Sequence, residues 1–338
     1  MATFESSIKY GLGLEDDAAG TEAATYIGIP QESLVKIPYG QQREHVKRFR
    51  GTARKIHRED IVTKIQDSRP SGFSHNFCFE TFVRLMAAMH QTAGSDSANV
   101  FTLTCPSAGA TVTEGDAAWN NGSPGNARAL SVKQDFGARH AALGCVPTRI
   151  QLTFPADGGP VKMSYDFVAM NATDAAANDT MTIESTNIDL ITSDFAFYLN
   201  QVSEAETTQI YPGGDIVVTF EPRVEALPRG ADHNRQICID EWGGSFEYRA
   251  VADSDPEELH DFWKSGARKA LVIVYGDGTE SSNGEFTLQL NGDIIEEPGQ
   301  ESAPILQESA KFELTTKDTT DTEPYKFTYF STEMPEDV

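Results

Sequence analysis

Short runs in which apolar and polar residues alternate, each closed off by turn-forming residues, recur along most of this chain. They constrain its fold more than any other feature. A period of two puts every second side chain on one face of a strand. In the second half such runs are Phe195–Leu199, Ile216–Phe220, Gln236–Asp240, Ser245–Val251, Leu271–Tyr275, Phe286–Leu290, Lys311–Thr315 and Tyr325–Phe330. In the first half, Ile150–Phe154 and Val161–Met170 flank Asp157-Gly158-Gly159-Pro160, which predicts a hairpin.

Only two stretches read as helices. Phe79, Phe82, Val83, Met86 and Met89 make one apolar stripe over about 78–91, and Gly94 and Ser95 end it. The second helix covers about 256–265. Asp255 caps it, Pro256 takes the first helical position, Glu258 completes a capping box and Gly266 suits the left-handed end. Leu259, Phe262 and Trp263 form its apolar face. So few helices exclude alternating βαβ units and a parallel sheet. The halves share a grammar. A strand at Phe73–Phe79 runs into the first helix, one at Ser245–Val251 runs into the second, and each half closes on a strand pair. The expected fold is mainly β, with two tandem β-sandwich or barrel-like domains, each with a flanking α-helix. The first domain covers residues 1–175, with an irregular N-terminal arm (1–35) and a long basic loop (36–69), within which residues 45–67 alternate loosely as a long hairpin or extended loop would. The second covers 176–338. Residues 106–127 read as a surface loop and 171–180 as the linker.

Charge divides the chain further. The 338 residues carry 27 Lys plus Arg and 51 Asp plus Glu, a formal net charge of −24. That excludes a mainly basic nucleic-acid binder and argues against an anionic membrane surface. Residues 1–170 hold 17 basic and 17 acidic side chains, whereas residues 171–338 hold 10 and 34. Within the neutral part, residues 36–69 hold ten Lys or Arg against four acids, or +6. A chain with one basic segment and one acidic half can bind copies of itself head to tail, a contact that closes into rings or runs on as filaments. Two plainer readings meet the same numbers. One is a solvated basic loop screened by salt. The other is the acidity that keeps proteins of salt-loving organisms in solution.

Motifs that carry chemistry are missing. The sequence has no phosphate-cradling G-x-x-x-x-G-K-[ST], no dinucleotide-binding G-x-G-x-x-G, no G-x-S-x-G elbow and no H-E-x-x-H. Cys78, Cys105, Cys145 and Cys238 are too far apart for a CxxC site and are expected to be buried free thiols, with one or two disulfides as the alternative. His75 and Cys78 have a spacing that metals use, without a second pair. No catalytic residue, cofactor or metal is therefore assigned. The run Met1-Ala2-Thr3-Phe4-Glu5 lacks signal-peptide features, so use without classical secretion is expected. Asn121, Asn171 and Asn178 head glycosylation sequons at about the frequency that chance gives.

The hairpin Val146-Pro147-Thr148-Arg149-Ile150-Gln151-Leu152-Thr153-Phe154, followed by Gly158-Gly159-Pro160-Val161-Lys162-Met163-Ser164-Tyr165-Asp166-Phe167-Val168, resembles the tail tube proteins of long-tailed viruses. So do the opening Phe4-Glu5-Ser6-Ser7-Ile8-Lys9-Tyr10-Gly11, the basic 43–58 segment and Gly244-Ser245-Phe246-Glu247-Tyr248 before a short helix. The resemblance covers most of the chain in order of elements and is diffuse in identity. It implies a virion structural protein, assembled in the host cytoplasm, whose β-sandwich subunits close into rings and stack into a tube. A long loop between early strands would reach the next ring, giving Arg43, Lys47, Arg48, Arg50, Arg54, Lys55 and Arg58 an inter-ring role. An acidic lumen would pass viral DNA in transit without holding it. Partners would be further copies of the chain, other tail proteins (terminator, tape measure and distal tail protein) and no membrane. Two sandwich domains imply three chains per pseudo-sixfold ring, and a merely decorative second half implies six. The acidity fits a salt-loving host, such as a halophilic archaeon.

A competing reading is a two-domain β-sandwich module that binds a glycan or another protein. Trp119, Trp242 and Trp263 are its aromatic candidates, Trp119 in a polar loop being the best placed.

Overall fold

The computed structural model describes residues 9–15, 19–23, 26–29, 35, 37–38, 41–45, 61–65, 68–91, 95–97, 100–106, 110–113, 129–136, 138–174, 181–182, 190–201, 209–210, 213–228, 234–251, 258–266, 268–276, 285–302, 306–315 and 324–330. The first half supplies β1 (Lys9–Leu14), β2 (Tyr26–Ile29), β3 (Gln41–His45), β4 (Ile61–Ile65), β5 (Phe73–Asn76), helix α1 (Phe79–His90), β6 (Ser95–Ser97), β7 (Val100–Thr104) and β8 (Ala110–Thr113). These are followed by β9 (Leu130–Phe136), β10 (Ala138–Phe154), β11 (Lys162–Val168) and β12 (Asn171–Asp174). The second half supplies β13 (Met181–Thr182), β14 (Phe195–Gln201), β15 (Gln209–Ile210), β16 (Ile216–Phe220), β17 (Arg223–Pro228), β18 (Asn234–Glu241) and β19 (Gly244–Val251). It ends with α2 (Glu258–Ser265), β20 (Lys269–Tyr275), β21 (Phe286–Ile294), β22 (Gly299–Ser302), β23 (Leu306–Leu314) and β24 (Tyr325–Phe330). The protein is mainly β, and its large sheets are antiparallel; among the described strands only the short β13–β2 pair runs parallel.

Three runs of paired strands organise the molecule. One reads β6-β7-β24-β21-β20-β14-β15. A second reads β5-β11-β10-β16-β19-β23-β22. They join where the far end of β21 pairs with β23, Gly292 opposite Leu314. The third reads β13-β2-β1-β9-β10-β12. Strands from both sides of position 175 thus pair directly, β16 with β10 and β24 with β7.

Strand β10 serves two of these runs. At 17 residues it is longer than a typical strand. Its first half pairs with β9 and β12, and its second half with β11 and β16. Register shifts at Ala142/Cys145 and Pro147/Arg149 mark where it bends. Gly144, inside the first shift, has a φ of +63°. A Cβ there would sit 2.6 Å from the Met170 side chain. Gly144→Ala is therefore expected to cost about 2–3 kcal/mol from backbone strain and crowding. Urea unfolding of the purified variant checks this.

Alternation along the strands builds the core. Ile216, Val218 and Phe220 of β16 point inward, as do Met163, Tyr165 and Phe167 of β11, with Val217, Thr219, Ser164 and Asp166 between them half-buried. Phe154 meets Phe195 and Phe197 of the facing strands at 5.2 and 5.4 Å between ring centres. Helix α1 lies within this core rather than on its flank. Phe82, Val83, Met86 and Met89 are buried as the stripe requires, but so are Thr81, Leu85, Ala87 and Ala88 on its other faces. A helix apolar on all sides is one enclosed by protein. Phe82 touches Phe220 in one run of strands and Phe286 and Phe327 in the other. The helix ends at Gln91, which takes left-handed backbone angles and returns its side-chain amide to the Ala88 carbonyl, three residues before Gly94.

Three expectations change. The N-terminal arm 1–35, expected to be irregular, contains β1 and β2. The expected loop 106–127 contains β8, which joins β18 and β17 in a separate three-stranded sheet. The expected linker 171–180 begins as β12, with Asn171 paired to Leu143. The second helix starts at Glu258 among the described residues; Asp255 and Pro256 lie outside them. Its Leu259 N–H donates to Glu308 Oε2 at 3.0 Å, so a buried carboxylate on β23 meets the positive helix end. All four cysteines are free thiols.

Candidate functional site

The basic segment expected over 36–69 folds, where it is described, into a ribbon. β3 and β4 pair antiparallel from Gln41 opposite Ile65 to His45 opposite Ile61, with Arg43 opposite Thr63. The two strands form a sheet of their own, joined to no other described strand. Arg43 sits at the middle of this ribbon. Lys47, Arg48, Arg50, Arg54, Lys55 and Arg58 lie outside the described residues, in the connection between the two strands.

Both feet of the ribbon are fastened to the body. On the incoming side Val35 and Ile37 are buried. The Tyr10 hydroxyl donates to the Val35 carbonyl at 2.9 Å and accepts from the Val35 N–H at 2.8 Å. Burial raises the pKa of that hydroxyl, which keeps its proton and the bond. On the outgoing side the Ser68 hydroxyl donates to the Pro38 carbonyl at 2.6 Å, closing the base of the ribbon. The Ala169 N–H donates to the Ser68 carbonyl and the Phe167 N–H to the Pro70 carbonyl, both at 2.8 Å. A free-standing hairpin is marginal in water, so these contacts fix where it leaves the core.

The second half presents acids on the outward face of β16, β19 and β23. Two open clefts of about 600 and 480 Å³ adjoin there and share Lys311. The first is lined by Asp215, Glu247, Arg249, Glu296 and Glu297, the second by Glu221, Arg223, Glu241, Trp242 and Glu313. Glu247 lies directly opposite Lys311 across the strands, and Glu313 opposite Ser245. Acids outnumber bases along this face, so it repels polyanions and attracts cationic groups.

The aromatic candidates are placed differently. Trp119 lies outside the described residues. Trp242 is half-buried, with its ring stacked on His90 at 5.3 Å. His90 Nε2 meets the Tyr325 hydroxyl at 2.5 Å, and burial pushes the imidazole down to about 4, so it is neutral near pH 7. One face of Trp242 therefore belongs to the core. Trp263 is half-buried on α2 beside His260. His75 has both ring nitrogens engaged, Nδ1 with the Asn76 carbonyl and Nε2 with the Tyr165 hydroxyl. Among the described residues no cluster of three or more His, Cys, Asp or Glu is placed to hold a metal. Among them, too, no helix is long and apolar enough to cross a membrane. No protein-family model and no curated protein matches this sequence.

Proposed function

We propose that this chain is the major tube subunit of a virus tail, a structural protein that polymerises as stacked rings and passes the genome through an acidic channel. The observation that carries the proposal is the rooted β3–β4 ribbon, joined to no other described strand, whose connection holds six of the seven named basic residues, Arg43 being in β3. A pair of strands whose edges no other described strand joins is suited to contact another molecule. The acidic outward face of the second half supplies the complementary charge, on a neighbouring copy or on the channel wall. Exposed ion pairs contribute only ~0–1 kcal/mol each, so strength comes from repetition around a ring. In this reading the two halves of the chain exchange strands, and each contributes to both large runs. Three chains would then complete a pseudo-sixfold ring. Terminator, tape measure and distal tail proteins would be its partners, the virion tail its location, and a salt-loving host the source of its acidity.

The test is negative-stain electron microscopy of the purified full chain across a salt series reaching molar concentrations. Hollow tubes or stacked rings of one diameter are expected, and class averages then count the chains per ring. Monodisperse single chains at every salt concentration would count against the proposal and favour a binding module.

A further inference from the structure

We propose that the Glu15 carboxyl group is a proton-operated latch, which holds residues 19–23 against the β9–β10 pair while protonated and releases them when it ionises. This inference concerns the single chain and is independent of the tube reading.

Glu15 follows β1, and its own N–H donates to the Ala129 carbonyl at 3.1 Å. Its side chain is 5% exposed. Oε1 accepts the Gly144 N–H at 2.7 Å and lies 2.9 Å from the Ser131 hydroxyl; Oε2 accepts the Gly20 N–H at 2.6 Å. One carboxyl group thus joins the end of β1, the 19–23 segment, β9 through Ser131 and the bend of β10 through Gly144. Ser131 extends the junction. Its Oγ accepts the Ala23 N–H at 3.2 Å and lies 3.3 Å from the Thr21 carbonyl. A protonated Glu15 donates to Ser131 Oγ, which passes its own hydrogen to Thr21, and every group in the chain of bonds is satisfied. An ionised Glu15 turns the Ser131 hydrogen back to itself, and the Thr21 carbonyl loses that bond. It also leaves a buried negative charge, which is costly without a counter-ion.

The described residues supply no such ion. The groups that face this junction are Glu22 in the segment, Tyr26 on β2, Lys133 on β9 and Cys145 on β10. Lys133 Nζ is committed to Glu22 at 3.3 Å and lies 5.0 Å over the Tyr26 ring. Burial raises the Tyr26 hydroxyl and the Cys145 thiol, so both stay neutral near pH 8. Burial likewise pushes the Glu15 carboxyl up to about 8, against an ordinary value of 4.5. The docked segment therefore holds a proton that the released segment gives up. Docking is strongest below pH 4.5, weakens as the pH rises towards 8 and levels off above it.

Hydrogen exchange of the full chain, read by mass spectrometry and corrected for intrinsic rates, tests this between pH 6 and 9. Protection of peptides covering residues 19–23 is expected to fall at least tenfold between pH 6 and 8 and to level off above 8. Peptides from β20 and β21 should keep theirs. In Glu15→Gln the protection should no longer depend on pH. Wild-type protection that is flat across the range, or a variant that keeps the transition, would overturn the latch. Should the variant fail to fold, the carbon-13 shift of the wild-type Glu15 carboxyl decides. A midpoint near 8 upholds the latch, and one near 4.5 overturns it.

Discussion

Reversing Arg43, Lys47, Arg48, Arg50, Arg54, Lys55 and Arg58 to Glu is expected to abolish tube formation and leave a folded chain. Each reversal adds two negative charges, so seven take the formal net charge from −24 to −38. The two strands that frame the connection form a sheet joined to no other described strand, and Tyr10, Val35 and Ser68 root it. The core should therefore not sense the change, and the melting temperature should stay within a few degrees. Assembly should sense it strongly. One exposed pair is worth ~0–1 kcal/mol, but every subunit would lose seven attractions and gain seven repulsions against an acidic neighbour. Pelleting and negative-stain images should show tubes for the wild-type chain and single chains or isolated rings for the variant. Replacement by Gln should give an intermediate result. At about 1 M salt, where charges are screened beyond ~3 Å, the two chains should become more alike. Tubes of normal length from the Glu variant would remove the ribbon from the assembly interface.

What the sequence revealed of this fold follows from how local each feature is. Ile216–Phe220 and Tyr325–Phe330 are strands with the limits expected from their alternation, and the hairpin turn falls at Asp157–Pro160. Each signal there is complete within a few residues. Strand β10 was harder to see, because its first part, ARHAALGCVP, is small and apolar without alternation and contains both Gly144 and Pro147. It is a strand because β9 and β12 pair with it, which no local pattern records. β8 and β12 lie in stretches rich in small and polar residues for the same reason. Enclosure of α1 was hidden because Thr81, Ala87 and Ala88 are not strongly apolar, and their burial comes from tertiary packing.

The candidate surface was legible only as composition. Counting charges located the basic segment, and loose alternation suggested a hairpin. That the hairpin stands apart from the other described strands, and is tied at Ser68 and Val35, depends on contacts over 25 to 30 positions. Glu15 lies in the N-terminal stretch whose sequence reads as an irregular arm. Its burial depends on Ser131 and Gly144, more than a hundred residues away.

Phe82→Ala is expected to be among the most damaging single substitutions in the core, and its unfolding curve bears on how the chain is divided. Phe82 is fully buried, and its ring lies 5.3 Å from Phe327, 5.6 Å from Phe77, 6.1 Å from Phe286 and 6.3 Å from Phe220. Truncating a buried Phe costs about 3–5 kcal/mol, because transfer energy is lost and the cavity closes only in part. Of the four rings it touches, three belong to strands beyond position 175. A helix in the first half is thus held by the second, and neither side keeps its packing when the other is lost. Trp242 and Trp263 report from the second half, so fluorescence there should follow a change made in the first. The variant should unfold in one transition at lower urea, with fluorescence and circular dichroism moving together. Phe246→Ala, which breaks the stacked Phe246–Phe312 pair at 4.4 Å within the second half, should shift the same transition. If Phe82→Ala instead moved only part of the signal and left the tryptophan transition in place, the halves would be independent domains that merely exchange strands at their borders. A single shared transition would mean that the chain folds as one unit, with α1 as the part both halves are built around.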